Sequence, residues 1–369
     1  MNAEGGRIQV LKTRSRHRTL SLPTGIDFTS NDYLGLAAHP ALREAAAAAM
    51  AKDGLAGAGG SRLLRGHHEA HERLETFAAE FFSAERALFF NSGFDANLAL
   101  FGTLPSRHDA VVFDEAIHAS AKEGMHAAPA KRYRARHNEA QSFEDEIKRA
   151  RRQGAKQIFI AVESVYSMDG DLAPLTALDE IARRHEATLV VDEAHATGAF
   201  GASGRGAGEG LHGAHWISLH TCGKALGVAG GLVCAGAETI DLLINSARPF
   251  IYSTALPPFI AAMVQRSLRL IDEEPSRRKR LNALAPIAHR ALNGNIPFAG
   301  SQIVPVILGK DEDTLRVAAA VREAGFDVRA IRPPTVPEGT ARLRVSIHAT
   351  HGEDEIAELA AAVNEARAE

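Results

Sequence analysis

The chain has 369 residues, 45% of them hydrophobic and 24% charged, with a formal net charge of -3, so nothing in bulk composition favours nucleic acid or an anionic membrane. Its two cysteines, Cys222 and Cys234, have neither the number nor the spacing of a disulfide framework or a zinc cluster, and no apolar run approaches the roughly 18 residues of a membrane span. The first residues lack the apolar core of a signal peptide, which points to a reducing, cytoplasmic setting, and the length points to one large and one smaller domain.

Residues 1–27 are polar and basic, with Lys12, Arg14, Arg16, His17 and Arg18 close together. They read as a solvated arm, or as an arm reaching over an anionic substrate. Turn chemistry over 29–36 leads to Pro40, which starts a helix over 41–52 closed by Gly54. The loop from Gly57 to Arg62 is flexible enough to approach a phosphate but lacks the full dinucleotide fingerprint. His67 and His71 have i, i+4 spacing, yet the H-E-x-x-H order is absent, and a helix start with incidental histidines is the better reading.

A strand over 87–90 then runs into Asn91-Ser92-Gly93-Phe94 and a helix whose first amides could hold a phosphate. The next strand, 110–114, is followed by His118, an imidazole that could stack on an aromatic cofactor or simply cap and pack. A strand at 157–163, a loop to Asp171, a helix over 175–185 and a strand at 187–191 continue the alternation. Alternating strands and helices predict an α/β fold with a mainly parallel sheet, helices on both faces and strand-end loops on one edge. Beyond residue 240 come a stiff connector over 248–258, a helix over 259–272, and strands near 303–308, 327–331 and 342–347, read as a smaller α+β domain. The expected division is an arm (1–27), a large domain (28–258) and a small domain (259–369). Period-2 alternation puts Arg342 and Arg344 on one face with Ser346, either to bind a substrate carboxylate or as an exposed sheet face.

The stretch Val190-Val191-Asp192-Glu193-Ala194-His195 organises this pattern, because it delivers an acid and an imidazole at the carboxyl end of a buried strand, where open α/β sheets bind ligands. Lys224 follows the apolar stretch 216–219 and sits among Gly223, Gly227, Gly230 and Gly231, glycines that leave room around an amine. Aspartate, histidine and lysine in this order suggest pyridoxal 5'-phosphate (PLP): the lysine to bond the aldehyde, the aspartate to keep the pyridine nitrogen protonated. Asp192-Glu193-Ala194-His195 also matches a helicase motif. That reading needs a phosphate loop ending in Lys-Ser or Lys-Thr, whereas Lys224 is followed by Ala225.

These segments resemble the α-oxoamine synthases, fold type I PLP-dependent transferases that condense an amino acid with an acyl thioester and release carbon dioxide. The resemblance runs through residues 30–36, Gly59-Gly60-Ser61-Arg62, Ser92-Gly93-Phe94, His118-Ala119-Ser120, 167–171, Asp192 to His195 and Thr221 to Lys224. It implies that Lys224 bonds the cofactor, Asp192 pairs with the pyridine nitrogen, His195 bonds the ring hydroxyl and His118 stacks on the ring. Gly93 and Phe94 would contact the cofactor through backbone, Ser167 and Thr221 through hydroxyls, and Ser253 or Thr254 would reach a phosphate in the partner subunit of a homodimer. Arg344 would take the amino-acid carboxylate, Thr335 and Arg332 would line the acyl side, and Arg18 would be the N-terminal substrate arginine; no metal is implied. Residues 331–337 with Arg342-Leu343-Arg344 look most like the member that joins L-alanine to pimeloyl-CoA or pimeloyl-acyl carrier protein in biotin biosynthesis. A glycine-using synthase taking acetyl-CoA or succinyl-CoA, and a non-catalytic PLP-binding protein, are the alternatives.

Overall fold

The computed structural model describes residues 3–211 and 215–368. In chain order its strands are β1 (Ile26–Asp27), β2 (Arg86–Phe90), β3 (Ala110–Asp114), β4 (Lys131–Ala135), β5 (Ile158–Glu163), β6 (Thr188–Asp192), β7 (Trp216–Thr221), β8 (Gly231–Ala235), β9 (Ile303–Gly309), β10 (Phe326–Asp327), β11 (Ala330–Ile331) and β12 (Ala341–Ser346). They fall into two compact units. One comprises Leu34–Tyr166 and Leu172–Arg278; the other gathers the described residues up to Tyr33, Ser167–Asp171 and the chain from Lys279 onward. This division differs from the expected one in placing the arm and the loop at 167–171 with the C-terminal unit, and in setting the second boundary after residue 278 rather than 258.

The larger unit holds a seven-stranded sheet in the order β2-β8-β7-β6-β5-β3-β4. Only β8 runs antiparallel to its neighbours; the other pairings are parallel, as the alternation of elements implies. Strand β6 shows why these residues form a central strand. Its period-2 geometry sends Val190 into a cluster with Phe90, Leu100 and Ile217 on one face, and Leu189 and Val191 into a cluster with Val112, Ile147 and Ile160 on the other. Burial on both faces demands a continuous apolar run, and each such side chain contributes roughly 1.5–3 kcal/mol. Helices Gly93–Thr103, Ala119–Ala127 and Ala237–Ser246 cover the first face, and Ala140–Arg152 and Leu175–Arg184 the second.

Local signals explain several boundaries. Helix Pro40–Asp53 has proline at its start, the His39 side chain accepting from Ala41 N at 3.2 Å, and Gly54 at φ 64° closing it. In Glu69–Phe81 the cap is His68, so His67 precedes the helix and shares no helix face with His71. His71 is instead buried, its Nε2 2.9 Å from the Leu256 carbonyl. The expected connector begins with a short helix, Arg248–Ile251, before Pro258–Glu273.

The smaller unit contains the antiparallel sheet β11-β12-β9 and the parallel pair β1 and β10. The single strand expected at 327–331 is two, β10 and β11, in different sheets. The arm is not simply solvated: it forms helix Ala3–Thr13, and Arg16 bonds Asp311 at 3.0 Å and Glu338 at 2.5 Å. No helix among the described residues is long and apolar enough to cross a membrane.

Candidate active site

Strands β2, β3, β5, β6 and β7 run the same way, so their carboxyl ends open on one edge of the sheet. Asp192 ends β6 and is buried. Its Oδ1 accepts from the Ala194 N–H at 2.9 Å and its Oδ2 from Asn97 Nδ2 at 2.7 Å. Three residues on, His195 Nε2 lies 2.6 Å from Lys224 Nζ, which β7 delivers just past Thr221. A lysine ammonium only donates, so His195 Nε2 is the acceptor.

His118 caps helix Ala119–Ala127, its Nδ1 accepting from the Ser120 N–H at 3.2 Å. Burial pushes its imidazole below the usual histidine range; Asp192 opposes that shift and Lys224 adds to it. Ser92 caps helix Gly93–Thr103, accepting from Asp95 N–H at 3.0 Å. A Cβ placed on Gly93 would stand 3.2 Å from both Cβ and Oγ1 of Thr221, so a side chain would fill the space between the helix start and the end of β7. Phe94 is 47% exposed, and the Thr254 carbonyl accepts from Asn91 Nδ2 at 2.9 Å.

Most of the glycines around Lys224 have a different role from the expected one. Only Gly223 has space around it; a Cβ on Gly227 would lie 2.4 Å from Ala37 N, and one on Gly231 2.7 Å from the Ser92 carbonyl. They permit close backbone approach rather than leaving room for the amine.

Other predicted residues belong to the smaller unit. Arg344 and Arg342 are buried, which removes the exposed-face reading. Arg344 Nε donates to the Ser167 carbonyl at 2.5 Å, Nη1 to Ser346 Oγ at 2.9 Å and Nη2 to Tyr33 Oη at 3.2 Å, while Arg342 pairs with Asp169. Arg18 Nη2 is 3.4 Å from Thr335 Oγ1, and Arg332 donates to the Ser15 carbonyl. Burial, then the nearby Arg18, lowers the Arg332 guanidinium below its ordinary range. One unit therefore assembles Lys224, His195, Asp192, His118, Gly93 and Thr221, and the other assembles Arg344 with Ser167 and Arg18 with Thr335 and near Arg332.

Sequence reasoning passed over several residues that hold this site. Asn97 is one. Glu193 is another: its carboxylate accepts from Ser164 Oγ at 2.5 Å, Gly208 N–H at 2.8 Å and Ala207 N–H at 3.0 Å. Burial nevertheless pushes this acid up to about 7. A third is His220, between Thr197 Oγ1 at 2.9 Å and Ser218 Oγ at 2.8 Å. Because Thr197 donates its proton to the Glu193 carbonyl, His220 donates through Nδ1 and accepts from Ser218 at Nε2, bracing the loop that carries Asp192 and His195. Alternation in β7 was the available signal, since it turns His220 and Ser218 to the same side.

The donor set suits PLP: an amine for the aldehyde, a buried carboxylate for a protonated ring nitrogen, a flat imidazole, and a capped helix start that its glycine keeps uncrowded beside a hydroxyl. The family model for aminotransferase class I and II matches residues 23–363. An 8-amino-7-oxononanoate synthase of Chromobacterium violaceum is 44% identical over 91% of this chain and 90% of its own length, and one of Geobacter sulfurreducens is 41% identical over 97% and 96%. The chain belongs to the 8-amino-7-oxononanoate synthase family. Like that family it has the fold type I transferase architecture, and its cofactor is PLP. A serine palmitoyltransferase from S. paucimobilis, solved with PLP and myriocin bound, superposes with TM-score 0.90 at 28% identity, covering 100% of this chain and 98% of that one. The 8-amino-7-oxononanoate synthase of Francisella tularensis gives TM-score 0.78 at 30% identity, covering 92% and 97%.

Proposed function

We propose that this chain condenses L-alanine with a pimeloyl thioester, releasing carbon dioxide and the thiol carrier, to give 8-amino-7-oxononanoate for biotin biosynthesis. The observation that carries the reading is the 2.6 Å contact of Lys224 with His195, three residues from a buried and doubly held Asp192. When bound, PLP supplies an electron sink for the charge left on the substrate Cα when a proton or carbon dioxide departs.

This chain's residues do the rest. Lys224 would hold the cofactor through its aldehyde, and its freed amine would take the substrate Cα proton as general base. Asp192, fixed in place by two hydrogen bonds, would pair with the ring nitrogen. His195 would hold the ring hydroxyl and His118 would pack against the ring. Gly93, Phe94, Ser167 and Thr221 would hold the cofactor, and Thr254, or Ser253, would reach the phosphate in a partner subunit. Arg344 takes the alanine carboxylate in bidentate fashion. Arg18, Arg332 and Thr335 bind the acyl side. A cytoplasmic homodimer is part of this reading.

The test is product and carbon dioxide formation by the PLP-loaded protein with L-alanine and either pimeloyl-CoA or pimeloyl-acyl carrier protein. Turnover with alanine is expected. Turnover only with glycine and acetyl-CoA or succinyl-CoA would replace the substrate assignment, and none with any pair would remove the enzymatic one.

A further inference from the structure

A chain of three hydrogen bonds, the two made by Asn97 buried and the one to His118 partly buried, joins the two cofactor-facing groups that the reaction uses in different ways. Asn97 Nδ2 lies 2.7 Å from Asp192 Oδ2 and 2.9 Å from Ser120 Oγ, and Ser120 Oγ lies 2.8 Å from His118 Nδ1. An amide nitrogen has two protons and no acceptor capacity, so both bonds run outward from Asn97. Turning the amide over would set its carbonyl oxygen against the Asp192 carboxylate, so charge dictates the orientation.

Ser120 Oγ, accepting from Asn97, sends its own proton to His118 Nδ1. The Ser120 backbone N–H also points at that nitrogen, 3.2 Å away. With two donors aimed at it, Nδ1 is an acceptor, and the ring proton resides on Nε2. Asn97 Oδ1 is buried and finds no hydrogen-bond partner among the described residues, so the side chain is oriented by what its amide nitrogen donates to. The backbone is built to suit: Asn97 and Ser120 stand on helices Gly93–Thr103 and Ala119–Ala127, and a Cβ on Gly124 would come within 2.8 Å of the Asn97 carbonyl. Glycine there lets the two helices approach closely enough to connect.

We propose that Asn97 and Ser120 are positioning residues that assign the protons of this site: Asn97 fixes the second oxygen of Asp192, and Ser120 holds His118 as a neutral imidazole protonated on Nε2. The charged groups facing His118 are Asp192 at the end of β6, Lys224 beyond β7 and Lys122 on its own helix. Asp192 alone favours the imidazolium; Ser120, burial and the two lysines oppose it. A neutral His118 forms no ion pair with Asp192, which leaves that carboxylate to pair with the ring nitrogen.

The functional importance of this device rests on the proposed function, but its chemistry is measurable without turnover. In PLP-loaded protein labelled with ¹⁵N-histidine, with His118 assigned from a His118→Asn spectrum, NMR should find the Nε2–H tautomer of His118 across the neutral range. Ser120→Ala should move its titration upward by on the order of one pH unit, and Ser120→Thr should restore it. Asn97→Ala, checked for native secondary structure, should weaken PLP binding on the order of 10- to 100-fold and shift the pH profile of the bound cofactor's absorbance. An Nδ1–H or doubly protonated His118 in the wild type at neutral pH would overturn the proposal whatever the variants do. So would an unmoved titration in Ser120→Ala, or an unaltered affinity and pH profile in Asn97→Ala. If the wild type fails to take up PLP, the functional reading falls, and the tautomer in the cofactor-free protein still decides this one.

Discussion

Asp192 and Arg344 are both buried charges on strands, yet they are held in opposite ways. Asp192 stands at the last position of a parallel strand, and its partners come from the residue two ahead and from a helix on the same sheet. Arg344 stands inside an antiparallel strand, opposite Pro305, and its partners Ser167 and Tyr33 lie 177 and 311 residues away in sequence. Parallel topology puts a strand-end charge at a site almost automatically, whereas a charge within a strand depends on segments that only the fold brings to it.

The comparison can be broken from either side. The largest effect is expected from Lys224→Ala, which removes the proposed base and should lower alanine-dependent turnover by at least ~10²–10⁴-fold while leaving His118 and Asp192 bonded as before. Arg344→Lys should raise the KM for alanine on the order of 10- to 100-fold with a smaller change in kcat, because a point-charge ammonium cannot reproduce the guanidinium fork; equal losses in both would detach Arg344 from substrate binding.

Acid should act through buried histidines, among them His220, which braces the loop of the site. Burial, reinforced for His71 by Arg62, holds His71 and His351 down to about 4 and His220 to about 3. An unfolded chain binds protons on these rings near pH 6.5 and the folded chain does not, so stability is lost as pH falls from about 6.5 toward 4. His71 alone accounts for roughly 3 kcal/mol, measurable as a falling urea midpoint. Glu193 has the reverse sign, because its raised folded value costs stability as pH climbs from about 4.5 through 7. Glu193→Gln sets an amide N–H against one of three converging donors and should destabilise by about 1–3 kcal/mol. His39→Ala, which uncaps helix Pro40–Asp53 and removes the 3.2 Å contact of His39 Nε2 with Glu274, should cost about 1–2 kcal/mol and leave activity untouched.

What the sequence made legible follows from the same contrast. The order Asp192, His195, Lys224 and the apolar runs before them were readable because central parallel strands are apolar on both faces and their ends carry the chemistry. Strand β4 was not, since Lys131, Arg132 and Arg134 line the exposed edge of the sheet, where charge blocks further pairing and hides the strand pattern. The antiparallel course of β8 has no sequence sign either. The glycines near Lys224 were noticed but given the wrong cause, because close backbone approach and open space leave the same mark in a sequence. Asn97 went unread because nothing in a helix's fifth residue announces a carboxylate 95 positions later. Arg342 and Arg344 could not be told from a solvated face without knowing that Asp169 and Ser167 meet them.

The most direct test of the central claim is to reduce the PLP-loaded protein with borohydride, digest it and find by mass spectrometry which peptide carries the phosphopyridoxyl group. The account predicts a single modified residue, Lys224, and no label in Lys224→Ala. A label on any other lysine in the wild type, or no label in protein saturated with PLP, would contradict it.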